Sequence, residues 1–343
     1  MPKTNPRDSK LKMRKLESEL SLFKITTLVL AVATVILALV VSYPSIHVLV
    51  YGPPPGQRLT GIDQPLSSTE LSTINNAPNS YFEVAGNMLL NLSLYGESKQ
   101  NGTYTGTVFV QPSKYNAPLV IGGKPSVIYI GAISCVYCAE NRWAMALALS
   151  RFGSFASLYK GYSSLGDADV PTLYWDADNY ASNGAADYGD HYSSSYINFF
   201  SAEYATNISK GFAFVNSADP IGYFVAHAPN QSYMQAMNFM NSTDAFAGTP
   251  FTFWGTTINT GADAVVFGTP VANQSASLPP LTYMTHQQII GQLSSLNNTF
   301  ATEEYAAADV YVAETCPAIG NSAPVCSLPA IKSLESILGL TSG

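Results

Sequence analysis

Hydrophobic and polar positions change their spacing several times along the 343 residues. Ile25 to Val41 contains no charged residue, and extension to Tyr43 gives about 19 residues, roughly 28 Å of helix. That is long enough to cross a bilayer core, so the pattern predicts a transmembrane signal-anchor over 25–43, ended by Pro44. A cleaved signal peptide is the alternative reading. The long basic region before the apolar run, and the lack of a small-x-small cleavage site after it, argue against that alternative. Residues 44–80 carry Tyr51-Gly-Pro-Pro-Pro-Gly56 and then Ser, Thr and Asn, which predicts a linker.

Periodicity becomes helical over 81–95, where Phe82, Val84, Met88, Leu89, Leu92 and Leu94 form a partial stripe. Thr105–Val110 alternates like a strand. Ser126-Val-Ile-Tyr-Ile-Gly131 is apolar enough to be a buried central strand. A helix follows over 138–152, with Trp143, Ala144, Leu147, Ala148 and Phe152 on one face and Gly153 at its end. Strands are expected at 157–163 and 171–175. From about 165 to 230 the chain is rich in aromatics, Gly and Ser without a clear period, and reads as an irregular insertion. Tyr233–Met240 reads as a short helix whose Met234, Met237 and Met240 suit packing better than copper. Gly248-Thr249-Pro250 introduces strand Phe251–Trp254, which Asn259-Thr-Gly261 turns into strand Ala264–Phe267. Helices close the chain at 285–296, 302–315 and 329–338. The order predicts an α/β domain over 81–343, with a helical, disulfide-closed extension from about 300 to 343.

Charge sharpens this division. Only 11% of residues are charged, against about 25% in ordinary soluble domains. Lys3, Arg7, Lys10, Lys12, Arg14, Lys15 and Lys24 crowd the first 24 residues beside three acids, leaving 9 basic and 20 acidic residues in the rest. The positive-inside rule then places the tail 1–24 in the cytoplasm and residues beyond the span outside it. An acidic exterior domain offers no basic face to phosphates, so nucleic acid is excluded as a main partner. Seven Asn-x-Ser/Thr sequons, at Asn91, Asn101, Asn207, Asn230, Asn241, Asn273 and Asn297, fit an extracytoplasmic glycoprotein. A surface so poor in Lys also suits an acidic medium, in which carboxylates carry little charge.

The candidate chemistry lies in the cysteines. Cys135-Val136-Tyr137-Cys138 directly follows the central strand and opens the next helix. A helix N-terminus presents unpaired N–H groups and the positive end of the dipole, which together stabilise a thiolate. The second cysteine, one turn on, can close the ring or resolve a mixed disulfide. A structural disulfide and half a zinc site are the other readings of such a pair. Zinc would need two more ligands, and His47, His191, His227 and His286 are scattered. Cys316 and Cys326 bracket a Pro/Gly/Asn loop and are expected to form a structural disulfide. Asp167, Asp169, Asp176, Asp178, Asp187 and Asp190 form a loose acidic cluster whose spacing matches no EF-hand loop. Neither metal nor cofactor is predicted. Glu140 and Arg142 read chiefly as part of a solvated helix face, and as a pair able to tune Cys135 in the alternative. Tyr137 and Trp143 are expected to pack beside the cysteines. No Gly-x-Ser-x-Gly, paired metal-ligand His or P-loop supports a hydrolase or nucleotide site.

Together the strand, CxxC helix, Thr249-Pro250 strand, hairpin and terminal helix resemble the thioredoxin fold. In that fold a cis-proline at the place of Pro250 faces the CxxC and holds an extended substrate backbone. The 111 residues between Cys138 and Pro250 resemble the insertion of DsbA-like proteins, although theirs is helical. A closer match is carried by Tyr129-Ile-Gly-Ala-Ile-Ser-Cys-Val-Tyr-Cys-Ala-Glu-Asn-Arg-Trp143, the run Ala146–Phe155, Gly248-Thr-Pro-Phe251 and the Cys-x9-Cys of Cys316 and Cys326. These resemble domain of unknown function 929, a family of membrane-anchored thioredoxin-like proteins best represented in thermoacidophilic archaea. That family usually has Pro after the first cysteine, where this chain has Val136. The resemblance implies a thiol–disulfide oxidoreductase in which Cys135 and Cys138 react while Val136, Tyr137, Thr249 and Pro250 meet a substrate protein or redox partner outside the membrane. The alternative is a non-catalytic thioredoxin-like surface protein with structural disulfides only.

Overall fold

The apolar run after Lys124 organises the molecule. A computed structural model describes residues 61–91, 99–100, 103–104, 112–115, 118–133, 135–163, 170–176, 191–203, 205–208, 211–214, 219–243, 249–260 and 284–340. The basic tail, the apolar segment 25–43, the linker up to residue 60, and the strands expected at Thr105–Val110 and Ala264–Phe267 lie outside the described residues. Among the described residues no helix is long and apolar enough to cross a membrane.

In chain order come helices α1 (Ser68–Asn75) and α2 (Asn79–Asn91), then short strands β1 (Lys99–Gln100), β2 (Thr103–Tyr104), β3 (Ser113–Lys114) and β4 (Val120–Ile121). Strand β5 (Lys124–Gly131) leads into α3 (Val136–Leu149). Next are β6 (Gly153–Phe155), β7 (Tyr159–Tyr162), β8 (Pro171–Tyr174), β9 (Tyr192–Ser194), β10 (Asn198–Glu203), β11 (Ala205–Ile208) and β12 (Gly211–Phe214). Helices α4 (Pro220–Ala226) and α5 (Gln231–Thr243) precede β13 (Phe251–Trp254) and β14 (Thr257–Thr260). The chain closes with α6 (His286–Leu293), α7 (Thr299–Thr315) and α8 (Pro329–Ile337).

The main sheet runs β10-β5-β13-β14-β3, with β4 also on β5. Strand β10 is parallel to β5, while β13 is antiparallel to β5 and β14 to β13. Helix α3 makes the crossover that a parallel pair requires. Side chains alternate across the pleat. Val127 and Tyr129 therefore join one core cluster with residues of α2, α3, α7 and α8, and Ile128 and Ile130 join a second with residues of α4 and α5. A strand buried on both faces must read as a continuous apolar run, as Val127–Ile130 does. The sheet is thus covered by helices on both sides, an α/β arrangement.

Helix α7 is buried nearly all round; Tyr305 to Ala308 and Val310 to Ala313 all lie in the interior. Its alanines let α2, α3 and α8 approach, and Tyr311 stacks on Trp254 of the sheet with ring centroids 4.5 Å apart. At its C-terminal end Cys316 is bonded to Cys326, with Cα atoms 5.6 Å apart and both residues buried.

Three expectations change. The linker expected to reach residue 80 gives way earlier, because Ser67 caps α1 in a capping box with Glu70 and Leu66, Ile74 and Ala77 enter the core. The Ser-x-x-Glu signature was present in the sequence, hidden in a Ser/Thr-rich stretch. The insertion read over 165–230 contains β10, a strand of the main sheet, whose polar Ser201 and Glu203 are buried and erase the apolar run. The hairpin after β13 turns at Gly255 (φ +80°), and Asn259 and Thr260 belong to β14. Gly255 is required twice there, since a Cβ would also stand 2.5 Å from the Cβ of Ala318.

The Cys316–Cys326 bond closes a loop of 10-residue separation. Loop-closure entropy gives such a bond about 2.5–3 kcal/mol. A Cys316→Ala/Cys326→Ala double variant should lose about that much stability in urea titrations, with the CxxC thiols unchanged in reactivity.

Candidate functional site

Cys135 sits at the cap of α3 with extended backbone (φ −78°, ψ 129°), so the chain leaves β5 and enters the helix within four residues. Its amide donates to the carbonyl of Ala132, and its carbonyl accepts the first helical bond from Ala139. Cys135 is half-buried, whereas Cys138 is fully buried; neither is in a disulfide in this structure. The amide of Ala132 approaches the Cys138 Sγ at 3.5 Å.

The two thiols differ electrostatically. Hydrogen bonding with the Cys138 thiol pulls the Cys135 pKa down to about 7 against its partial burial, helped by the amides of Cys138 and Tyr137 and by Arg142. Burial pushes the Cys138 thiol well up, and proximity to Cys135 adds to this, with Arg142 and Glu203 acting in opposite senses. Sharing one proton between neighbouring thiols gives one ready nucleophile and one held in reserve.

Beneath them lies a charged layer. Arg142 is one turn beyond Cys138 on the same face of α3, and it is 0% exposed. Its Nη2 donates to Glu203 Oε1 at 2.8 Å and to the Ala132 carbonyl at 3.2 Å. Its Nε also donates to Glu203 Oε1, at 3.1 Å, and Nη1 reaches Thr172 Oγ1 at 3.5 Å. The guanidinium stands 5.7 Å from the centre of the Tyr129 ring. Glu203, at the end of β10, is raised by burial, and Arg142 restrains that rise. Burial also raises Tyr129 well above a normal phenol, with Arg142 opposing and Cys138 and Glu203 adding. Gly131 makes the layer possible: a Cβ there would lie 2.0 Å from the Tyr129 hydroxyl and 2.7 Å from Glu203 Oε2.

The reading of Glu140 and Arg142 as a solvated face is overturned. Both are 0% exposed, because α3 is packed against α7 and β8, and Arg142 pairs with Glu203. Glu203 and Tyr129 were missed in the sequence. No local signal marked Glu203: it ends a stretch that mixes polar and aromatic residues, and its partner Arg142 lies 61 residues away in sequence.

Val136 and Tyr137, both half-buried, form the first turn of α3 beside Cys135. The Thr249–Pro250 peptide is cis, Pro250 is buried and Thr249 is half-buried. Phe251 is in register with Ile130, so Pro250 falls beside Gly131, at the end of β5 that delivers Cys135. Trp143 is buried, with its Nε1 donating to the Pro171 carbonyl. The Cys316–Cys326 loop belongs to the other end of the sheet, where Ala318 meets Gly255. Of the six aspartates in the acidic cluster, Asp176 alone is among the described residues, and it contacts His191 at 2.9 Å. Among the described residues no three His, Cys, Asp or Glu are placed to hold a metal.

Residues 111–243 match the model of a family described as "Domain of unknown function (DUF929)". The matched stretch contains β5, the CxxC helix and β10, and ends before Pro250. No curated protein matches the chain, and no solved structure does.

Alkylation of Cys135 by a neutral reagent should titrate with a midpoint near the pKa of about 7, falling about tenfold per pH unit below it. Cys138 should stay unmodified in the folded chain; mass mapping of the two sites checks both. Arg142→Met leaves Glu203 as an uncompensated buried charge and should cost about 3–5 kcal/mol in urea unfolding. Adding Glu203→Gln to it should recover much of that loss.

Proposed function

We propose that the chain is a membrane-anchored, extracytoplasmic thiol–disulfide oxidoreductase of thioredoxin-like fold that acts on protein disulfides through Cys135 and Cys138. The observation that carries the reading is the unequal pair of thiols: a half-exposed Cys135 lowered to about 7 and a buried Cys138 raised beside it. A structural staple has no need of that asymmetry. The strand order supports the thioredoxin-like part, since the CxxC strand is central, parallel to β10, and antiparallel to a strand that Pro250 directly precedes. The apolar segment 25–43 with its basic flank supports the anchor and its orientation.

In reduction, the Cys135 thiolate attacks a substrate disulfide. A Cys135–substrate disulfide forms, the substrate S–S bond breaks, and the departing thiolate takes a proton. Cys138 then gives up its proton and attacks the Cys135 sulfur. The intramolecular disulfide forms and the second substrate thiol leaves, so two electrons pass from the dithiol to the substrate. Run backwards, the same steps oxidise a substrate dithiol, and a redox partner of the dithiol/disulfide class restores the starting state. Val136 and Tyr137 follow Cys135 in the chain and Pro250 lies beside Gly131; with Thr249 they would supply the surface on which an extended substrate lies. Tyr129, Arg142 and Glu203 sit behind Cys138, where the proton must be released in the resolving step.

The test is exchange with a model protein disulfide, followed by insulin reduction and by mixed-disulfide trapping. Cys138→Ser should accumulate a covalent adduct on Cys135, and Cys135→Ser should abolish turnover. Wild-type protein no faster than Cys135→Ser would sink the proposal and leave the non-catalytic surface protein as the better reading.

A further inference from the structure

Helix α7 carries acids into the interior, and among the described residues no cation is paired with them. Glu304, Asp309 and Glu314 are each 0% exposed. Neither oxygen of Glu304 has a hydrogen-bond partner. The carboxyl of Asp309 lies over Gly86 of α2, with Oδ2 3.0 Å from where a Cβ would stand. Glu314 Oε2 accepts from Thr257 Oγ1 at 2.7 Å and Asn259 Nδ2 at 2.9 Å, both neutral donors, while Oε1 has no partner.

The elements packed around α7 bring few titratable groups. Helix α2 offers Tyr81 and Glu83; α3 offers Tyr137, Cys138, Glu140 and Arg142; α6 offers His286; α8 offers Lys332 and Glu335. Strands β13 and β14 bring no titratable group, and α7 itself adds Glu303, Tyr305 and Tyr311. The described cations nearest α7 are engaged elsewhere. Arg142 is paired with Glu203, Lys332 with Glu335, and Arg151 (just beyond α3) donates to the carbonyls of Asn75 and Ala77. Several of the nearest charges are themselves acids: Glu140 and Glu303 raise Glu304, and Glu83 raises Asp309. An ionised carboxylate held in such surroundings is strongly disfavoured, and the group keeps its proton instead.

We infer that α7 is an acid-dependent keystone: the domain folds with Glu304, Asp309 and Glu314 as neutral carboxylic acids, so it is most stable in an acidic medium and loosens as the medium approaches neutrality. Burial pushes Glu304 and Asp309 well above ordinary carboxyls, and Glu314 up to about 7. Glu303, on the same helix and less deeply placed, is also raised to about 7 by burial. A raised carboxyl keeps its full contribution below the unfolded value and loses it as the pH climbs through the folded one. The window therefore opens near the ordinary carboxyl range and extends to about 7 for Glu314, and higher for the other two. Among the described residues, two groups that titrate in the acidic range pull the other way. Burial depresses His286 to about 4, and Glu70, despite some burial, is held below its usual value by Ser67 and Lys160. Two opposing groups do not cancel three raised acids. Each carboxyl protonated only in the fold lowers the folded-to-unfolded ratio about tenfold per pH unit across its window.

The experiment is urea unfolding of the full chain in detergent at about pH 4 and about pH 7, for wild type and Glu304→Gln. The wild-type midpoint should be higher at the acidic pH. Glu304→Gln should keep the acidic midpoint, and its folded-to-unfolded ratio should fall about tenfold less per pH unit than that of wild type. A wild-type midpoint equal or higher at neutral pH overturns the inference, as does a variant with undiminished pH dependence. Should Glu304→Gln not fold, infrared spectra of the wild type decide: the protonated-carboxyl C=O band must persist in the folded chain at about pH 6 and vanish on unfolding, and its absence refutes the proposal. No outcome depends on redox activity, so failure here is distinct from failure of the oxidoreductase reading.

Discussion

A guanidinium with no exposed surface must be compensated where it lies, and the Arg142–Glu203 pair does that between the CxxC helix and a strand 61 residues on. Desolvating the two charges costs several kcal/mol per ion, so the pair is not retained for stability alone. What it fixes is register. Arg142 can reach Glu203 and the Ala132 carbonyl only if α3 leaves β5 at the observed place and β10 docks parallel beside β5 with Glu203 opposite Gly131. That same docking carries the Tyr129 hydroxyl and Glu203 Oε2 into the space Gly131 leaves open, directly behind Cys138. The pair is therefore where the fold and the candidate chemistry share one set of atoms. Removing one partner harms the core and alters the field at the Cys138 thiol together, which is why the two effects have to be separated by double substitution.

Much of this arrangement was legible in the sequence, and most of the parts that were not share a cause. The run Val127–Ile130 announced a strand buried on both faces, because an apolar stretch bounded by Lys124-Pro125 and Gly131 has few other uses. The placement of Cys135 at a helix start followed from that strand and from the apolar face of Trp143 and Leu147. Strand β10 was not legible. Asn198-Phe-Phe-Ser-Ala-Glu203 mixes aromatics with polar groups that are buried only because Arg142 and neighbouring strands satisfy them, and a partner distant in sequence leaves no local period. The same holds for Glu140 and Arg142: a charged residue on a helix reads as solvated until a long-range partner is known. Helix α1 was lost for a different reason. Its capping box is spelled in the same Ser, Thr and Glu residues that spell a linker, and the apolar positions that would decide between them, Leu66, Ile74 and Ala77, are sparse.

The acids of α7 and the thiols at the helix start make opposite demands on the medium. Cys135 gains thiolate as the pH rises toward about 7, whereas Glu314 keeps its proton only as the pH falls below a similar value. A chain that needed fast thiolate chemistry in acid would have to depress its nucleophile much further, and the local sources of depression are already engaged: the neighbouring thiol, the first amides of the helix, and an arginine whose charge is largely spent on Glu203. The disulfide form escapes this constraint, because an oxidised pair waits for a partner's thiolate and needs none of its own. Acid stability and disulfide donation are therefore compatible in one domain, while rapid reduction of substrates in acid is not. On the proposed oxidoreductase reading, oxidation of a substrate that meets the site at a pH where its own thiols ionise is the direction of electron flow compatible with both the buried acids and the modest lowering of Cys135.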